Sequence, residues 1–141
     1  MSSGAASRLL VLQRHLDYPE GGGMEPVDSP LTTHVLDTTS GLPAQGLCLH
    51  LSRLQDLDQQ WMELRTSYTD ADGRCPGLLT PGQMKAGTYK LLFDTQDYWE
   101  RRGQASFYPH VEVVFTITNE TQKCHVPLLL SPWSYTTYRG S

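Results

Sequence analysis

Three side chains stand out for the chemistry their types could do. They are His34 in Thr33-His34-Val35-Leu36-Asp37, His125 in Cys124-His125-Val126-Pro127-Leu128-Leu129-Leu130, and Arg74 directly behind the turn Asp70-Ala71-Asp72-Gly73. Both histidines are polar residues placed where a strand should be unremarkable. An imidazole that titrates near neutral pH can take a proton from water and hand it on. A guanidinium keeps its charge and offers a planar fork to a carbonyl oxygen or to the negative charge that develops there. Each residue also has a plainer reading: strand histidines often hydrogen-bond locally, and an arginine after an Asp-Gly turn is commonly solvated. A zinc ion shared by the two histidines would lack a third ligand at any recognisable spacing. The sequence has no Gly-x-Ser-x-Gly elbow, no phosphate-cradling glycine loop, no His-Glu-x-x-His and no Cys-x-x-Cys, so pattern alone names no reaction.

The elements that must carry these residues read as strands. Val111, Val113, Phe115 and Ile117 alternate with Glu112, Val114, Thr116 and Thr118, a period of two that leaves one strongly apolar face. Leu47, Leu49 and Leu51 alternate with Cys48, His50 and Ser52, and Tyr89, Leu91 and Phe93 with Lys90, Leu92 and Asp94. Further strands are expected at Leu31 to Leu36, Trp61 to Tyr68, Lys123 to Leu130 and Ser134 to Tyr138. Turn chemistry separates them at Thr39 to Pro43, Asp70 to Gly73, Thr80 to Gly82 and Asn119 to Thr121. A short helix is expected at Thr95 to Arg102, with Thr95 capping its first turn and Gly103 stopping its last. Seven or so short strands on this spacing predict an all-β sandwich.

Length and composition limit the alternatives. A chain of 141 residues suits one compact domain plus a tail. The formal charge of −4, with Lys and Arg scattered, offers no footprint for nucleic acid. The run Leu9 to Leu12 is too short to span a bilayer or to form a signal-peptide core. Cys48, Cys75 and Cys124 are odd in number and widely spaced, which suits buried, reduced thiols rather than a disulfide framework. An adhesion sandwich of immunoglobulin type finds no Cys…Trp…Cys frame here. Asn119-Glu120-Thr121 has the form of a glycosylation acceptor and reads as a hairpin turn.

At Thr33-His34-Val35-Leu36-Asp37 followed by Gly41-Leu42-Pro43-Ala44, the chain resembles the opening strand and turn of transthyretin-like proteins. Thr69 to Arg74, Phe107-Tyr108-Pro109 and His125 to Pro132 are similar to later segments of the same family, and the ending Tyr138-Arg139-Gly140-Ser141 matches its 5-hydroxyisourate hydrolase branch. The blocks span essentially all of Leu31 to Ser141. The resemblance implies a two-sheet transthyretin-like β-sandwich of about seven to eight strands with one short helix. It also implies hydrolysis of 5-hydroxyisourate to 2-oxo-4-hydroxy-4-carboxy-5-ureidoimidazoline in urate degradation. On that resemblance His34, Arg74 and His125 are the catalytic residues, and His34, Arg74, Tyr138, Arg139, Gly140 and Ser141 bind substrate. It further implies a homotetramer, a dimer of dimers with its sites between the dimers, and neither metal nor organic cofactor. The runner-up is a transthyretin-type carrier of a small hormone, which lacks this combination of histidines, arginine and tail.

The chain is expected to divide at residue 30, with a targeting segment and linker over 1–29 and the hydrolase domain over 30–141. Asp17 to Pro30, with Gly21-Gly22-Gly23, three prolines and four carboxylates, is too poor in apolar residues to order itself. Ahead of it, Arg8, Leu9, Leu12, His15 and Leu16 share one face of a short helix. Arg8-Leu9, five residues, then His15-Leu16 resembles an N-terminal peroxisomal targeting signal, which implies a peroxisomal import receptor as partner and the peroxisome as destination. No membrane partner is expected.

Overall fold

The computed structural model describes residues 29–141; the expected targeting positions Arg8, Leu9, His15 and Leu16 lie outside the described residues. Eight strands and one helix follow in the order β1 (Leu31–Asp37), β2 (Leu42–Pro43), β3 (Cys48–Leu54), β4 (Trp61–Tyr68), β5 (Gly87–Phe93), α1 (Thr95–Arg101), β6 (Val111–Ile117), β7 (Cys124–Ser131) and β8 (Ser134–Thr137). They form two four-stranded sheets, β2-β1-β7-β8 and β4-β3-β5-β6. The all-β sandwich read from the alternation is therefore the observed architecture. The two-residue β2, which the sequence presents as turn, is the addition, pairing Leu36 with Pro43 and Asp37 with Leu42.

The sheets close on one another because the alternating positions supply a continuous apolar layer. Val35, Leu49, Leu51, Tyr89, Leu91, Phe93 and Leu128 are each fully buried in it. Removing a side chain of this size from water contributes roughly 1.5–3 kcal/mol, enough to fix strand register, since a slip of one residue would turn the whole set outward. Tyr98 and Trp99 of α1 are also buried in this core and meet edge to face at 5.0 Å. Tyr98 donates to the buried Asp37 carboxylate at 2.9 Å and thereby ties α1 to the end of β1.

The helix stops as expected but starts differently. Gly103 takes a φ of 72°, and the amides of Gly103 and Gln104 donate to Glu100 and Trp99, a left-handed glycine cap. Thr95, expected as the N-cap, lies inside the first turn and is buried, and the capping position belongs to Asp94, which makes no side-chain cap. The Asp94 carboxylate is instead engaged by His50 across the sheet at 3.0 Å.

Two pairings place the site. The β1 and β7 strands run parallel, with Thr32 opposite His125 and His34 opposite Pro127. Partners in register share a face, so His34 and His125 project from the same side of the first sheet. Leu31, Val35, Val126 and Leu128 project from the other side, into the core.

Candidate active site on the outer face of the first sheet

Arg74 is held by its own turn. Asp70 accepts from the amides of Asp72 at 2.9 Å and Arg74 at 3.0 Å, and its own amide donates to the Arg74 carbonyl at 2.8 Å. Gly73 adopts a φ of 74°, and a Cβ there would run into the carbonyl oxygen of Val35. Only glycine lets the turn lie this close to β1, where the Val35 amide donates to the Gly73 carbonyl at 2.8 Å. The result is an antiparallel bridge between His34 and Arg74. It brings the Arg74 guanidinium to 3.4 Å from His34 Nδ1, and the donor must be the arginine.

His125 stands two rungs along the same face and is nearly buried. Its Nδ1 lies 2.7 Å from Thr32 Oγ1, while its buried Nε2 has no hydrogen-bond partner among the described residues. Burial pushes its pKa below the ordinary imidazole value, the positive charge of Arg74 adds to the depression, and a hydrogen bond to the backbone of Thr32 opposes it. A neutral ring at physiological pH follows. With the proton on Nδ1 toward Thr32, Nε2 keeps its lone pair and can accept a proton from water.

The tail completes the arrangement. After β8 the chain folds back over the start of β7, where the Gly140 amide donates to the His125 carbonyl at 2.9 Å and the two residues form an isolated bridge. Tyr138 and Arg139 line, together with His125, a cavity of about 320 Å³ between the sheet edges at β6 and at β7–β8. Neither His34 nor Arg74 lines that cavity, which runs toward the core-facing Phe115, Ile117 and Val126. His34, Arg74 and His125 thus lie on the outer face, with the cavity to the side of the tail. Ser141 is exposed beside Gly140.

Of the seven expected site residues, His34 and Arg74 meet directly, His125 and Gly140 meet directly, and Tyr138 and Arg139 line one cavity with His125. Two positioning residues were not among the expected set. Asp70 was legible as an Asx turn, whereas Thr32 acquires its role only through the β1–β7 register.

The fold and this cluster define a class, the transthyretin-like sandwiches. The sequence profile described as the HIUase/Transthyretin family matches residues 31–140, and the chain belongs to that family. It is 80% identical to the 5-hydroxyisourate hydrolase of Mus musculus over 118 residues, 84% of this chain and all of the mouse protein. It is 40% identical to the 5-hydroxyisourate hydrolase of Salmonella typhimurium over 111 residues, 79% of this chain and 80% of the other. Among solved structures it superimposes on sea bream transthyretin in complex with thyroxine with a TM-score of 0.77 at 37% identity, covering 80% of this chain and 97% of that one.

Proposed function

We propose that this protein is a hydrolase that opens the ring of 5-hydroxyisourate, giving 2-oxo-4-hydroxy-4-carboxy-5-ureidoimidazoline in urate degradation. The similarity to the mouse and bacterial hydrolases supports it, and the observation that carries it chemically is the Arg74 guanidinium 3.4 Å from His34 on the face that also presents His125. Water adds to a ring carbonyl, the C–N bond of the cyclic amide breaks, and the nitrogen leaves with a proton. His125 Nε2 takes the proton from the attacking water. Arg74 holds the carbonyl oxygen as it becomes negative, a type of contact worth about 10²–10³ in rate. His34, kept at the guanidinium by its Nδ1, faces the same ring and serves the departing nitrogen. Tyr138, Arg139, Gly140 and Ser141 form the wall against which the planar substrate lies.

The carrier reading has one observation in its favour, the superposition on a thyroxine-bound transthyretin. A carrier needs an apolar channel, and a guanidinium beside two imidazoles makes this face polar. Turnover of 5-hydroxyisourate without measurable thyroxine binding supports the hydrolase; thyroxine binding without turnover supports the carrier.

We place the working form in a homotetramer, a dimer of dimers. Both β6 and β8 are sheet edges, each paired on one side only among the described residues, and Val114, Phe107 and Trp133 are exposed. Open edges beside exposed apolar side chains favour pairing with further copies. The peroxisome is the proposed location, on Arg8, Leu9, His15 and Leu16, through an import receptor that reads them. Among the described residues no helix is long and apolar enough to cross a membrane.

A further inference from the structure

The second sheet carries a cluster that the hydrolase reading leaves unused. Cys48 and His50, two apart on β3, project from the outer face, and Asp94 joins them because its amide pairs with the Cys48 carbonyl at 2.9 Å. Their side-chain atoms converge. His50 Nε2 lies 3.7 Å from Cys48 Sγ and 3.0 Å from Asp94 Oδ2, and the three potential ligand atoms all lie within 4.8 Å of one another.

We propose that Cys48 Sγ, His50 Nε2 and Asp94 Oδ2 bind a divalent cation of the zinc class, with a fourth position left to water. Tetrahedral zinc with ordinary bond lengths sets its sulfur and nitrogen ligands about 3.6 Å apart and its nitrogen and oxygen ligands about 3.3 Å apart. The observed 3.7 and 3.0 Å are within a few tenths of an ångström of those edges. Thiolate, imidazole and carboxylate together suit zinc rather than magnesium or calcium, which prefer oxygen alone.

The far side of the imidazole is prepared in the way metal-ligating histidines are. His50 Nδ1 meets Glu63 Oε1 at 2.8 Å, and Thr66 donates to the same oxygen at 2.9 Å. This carboxylate would hold the Nδ1 proton and leave the Nε2 lone pair for the cation. Glu63 reaches the position through a bulge in β4. Leu51 pairs with Arg65 and Ser52 with Glu63, so Leu64 is skipped and Glu63 turns to the face of Ser52 and His50. In a regular ladder it would point the other way. The site is accessible: the side chains of His50 and Asp94 are about a third exposed. Binding displaces the thiol proton of Cys48 and any proton on His50 Nε2 to solvent, with no oxidation change.

Titration of the full chain with Co²⁺ should produce a thiolate-to-cobalt charge-transfer band, which Zn²⁺ should abolish by competition. The band is expected to vanish in Cys48→Ser and to persist in Cys75→Ser and Cys124→Ser. In a competition with a chelating indicator, Glu63→Gln should weaken Zn²⁺ by about 10- to 100-fold, and His50→Gln and Asp94→Asn should each weaken it at least as far. Zn²⁺ should raise the Tm of the wild type and leave that of Cys48→Ser unmoved. A wild type without the band, a band that survives Cys48→Ser or follows Cys124, or unchanged Zn²⁺ affinity in both His50→Gln and Asp94→Asn would overturn the proposal. Variants exposed on the sheet surface, such as Glu63→Gln, keep the test open if Cys48→Ser fails to fold.

Discussion

Gly140 lies against the imidazole of His125 so closely that a Cβ at that position would stand 2.5 Å from Cδ2, 3.1 Å from Cγ and 3.2 Å from the His125 carbonyl oxygen. Backbone conformation does not demand glycine here; space does. Gly140→Ala must therefore move the tail or the ring. The expected outcome is a loss of at least about tenfold in kcat/KM, within the range that misplacement of a reacting group produces, with an unchanged circular dichroism spectrum and a Tm within a few degrees of wild type. Kinetics equal to wild type would mean that the tail does not set the position of His125.

Replacing Arg74 by lysine keeps the charge and loses the fork. Arg74→Lys should lower kcat/KM by about 10²–10³ while the fold persists, because the turn that positions residue 74 is built from Asp70 and backbone groups. His34→Ala and His125→Ala should each remove most of the turnover in folded protein. Steady-state kinetics beside thermal melts separate these losses from unfolding, and near-wild-type rates in any two of the three variants would contradict the assignment.

The depressed pKa of His125 has consequences of stated sign. Its causes are burial first and the Arg74 charge second. The acid limb of kcat/KM should therefore fall below the ordinary imidazole value of about 6.5, and activity should hold through mildly acidic pH. Stability follows the same group. Between the folded and unfolded pKa the unfolded chain binds the extra proton, so the contribution of His125 is present above the unfolded value and is lost as pH falls through the folded one. A limb at or above the ordinary value in the wild type would speak against His125 as the base.

The two ends of the chain should respond in opposite ways. Deleting Tyr138 to Ser141 removes the Gly140–His125 bond and the proposed wall of the site but none of the largest core side chains, so turnover should collapse with little change in Tm. At the other end Ser29 is buried, donates to the Leu31 carbonyl at 2.6 Å and accepts from the Leu79 amide at 3.2 Å. Removal of residues 1–28, sparing Ser29, should leave the purified enzyme's rate and Tm unchanged. In cells, a fluorescent tag after the domain should move from peroxisomes to cytosol when Arg8 or His15 is replaced; continued peroxisomal signal would reject that address.

The strands were legible because one apolar face at period two is imposed by burial itself, as in Val111 to Ile117 and Tyr89 to Phe93. The histidines were visible as polar residues within expected strands, and Arg74 as the residue after an Asp-Gly turn. Pairing between distant segments leaves no local mark. Thr32 gains its role from lying opposite His125, which stands 93 positions away, and Gly140 from a fold-back that no propensity describes. The bulge at Leu64 hides in an exposed edge strand without clean alternation, so the contact between Glu63 and His50 could not be read from spacing. The expected cap at Thr95 fails for a related reason: Asp94 takes the capping position while its carboxylate faces His50, which is 44 residues away.

The most direct measurement follows the disappearance of 5-hydroxyisourate freshly generated from urate by a urate oxidase, with and without the purified protein. The expected result is a first-order loss whose rate rises linearly with protein concentration above the spontaneous decay, and which returns to the spontaneous rate when His34→Ala, Arg74→Lys and His125→Ala are combined. Decay at the spontaneous rate with the wild-type chain, or acceleration that survives the triple substitution, would contradict it.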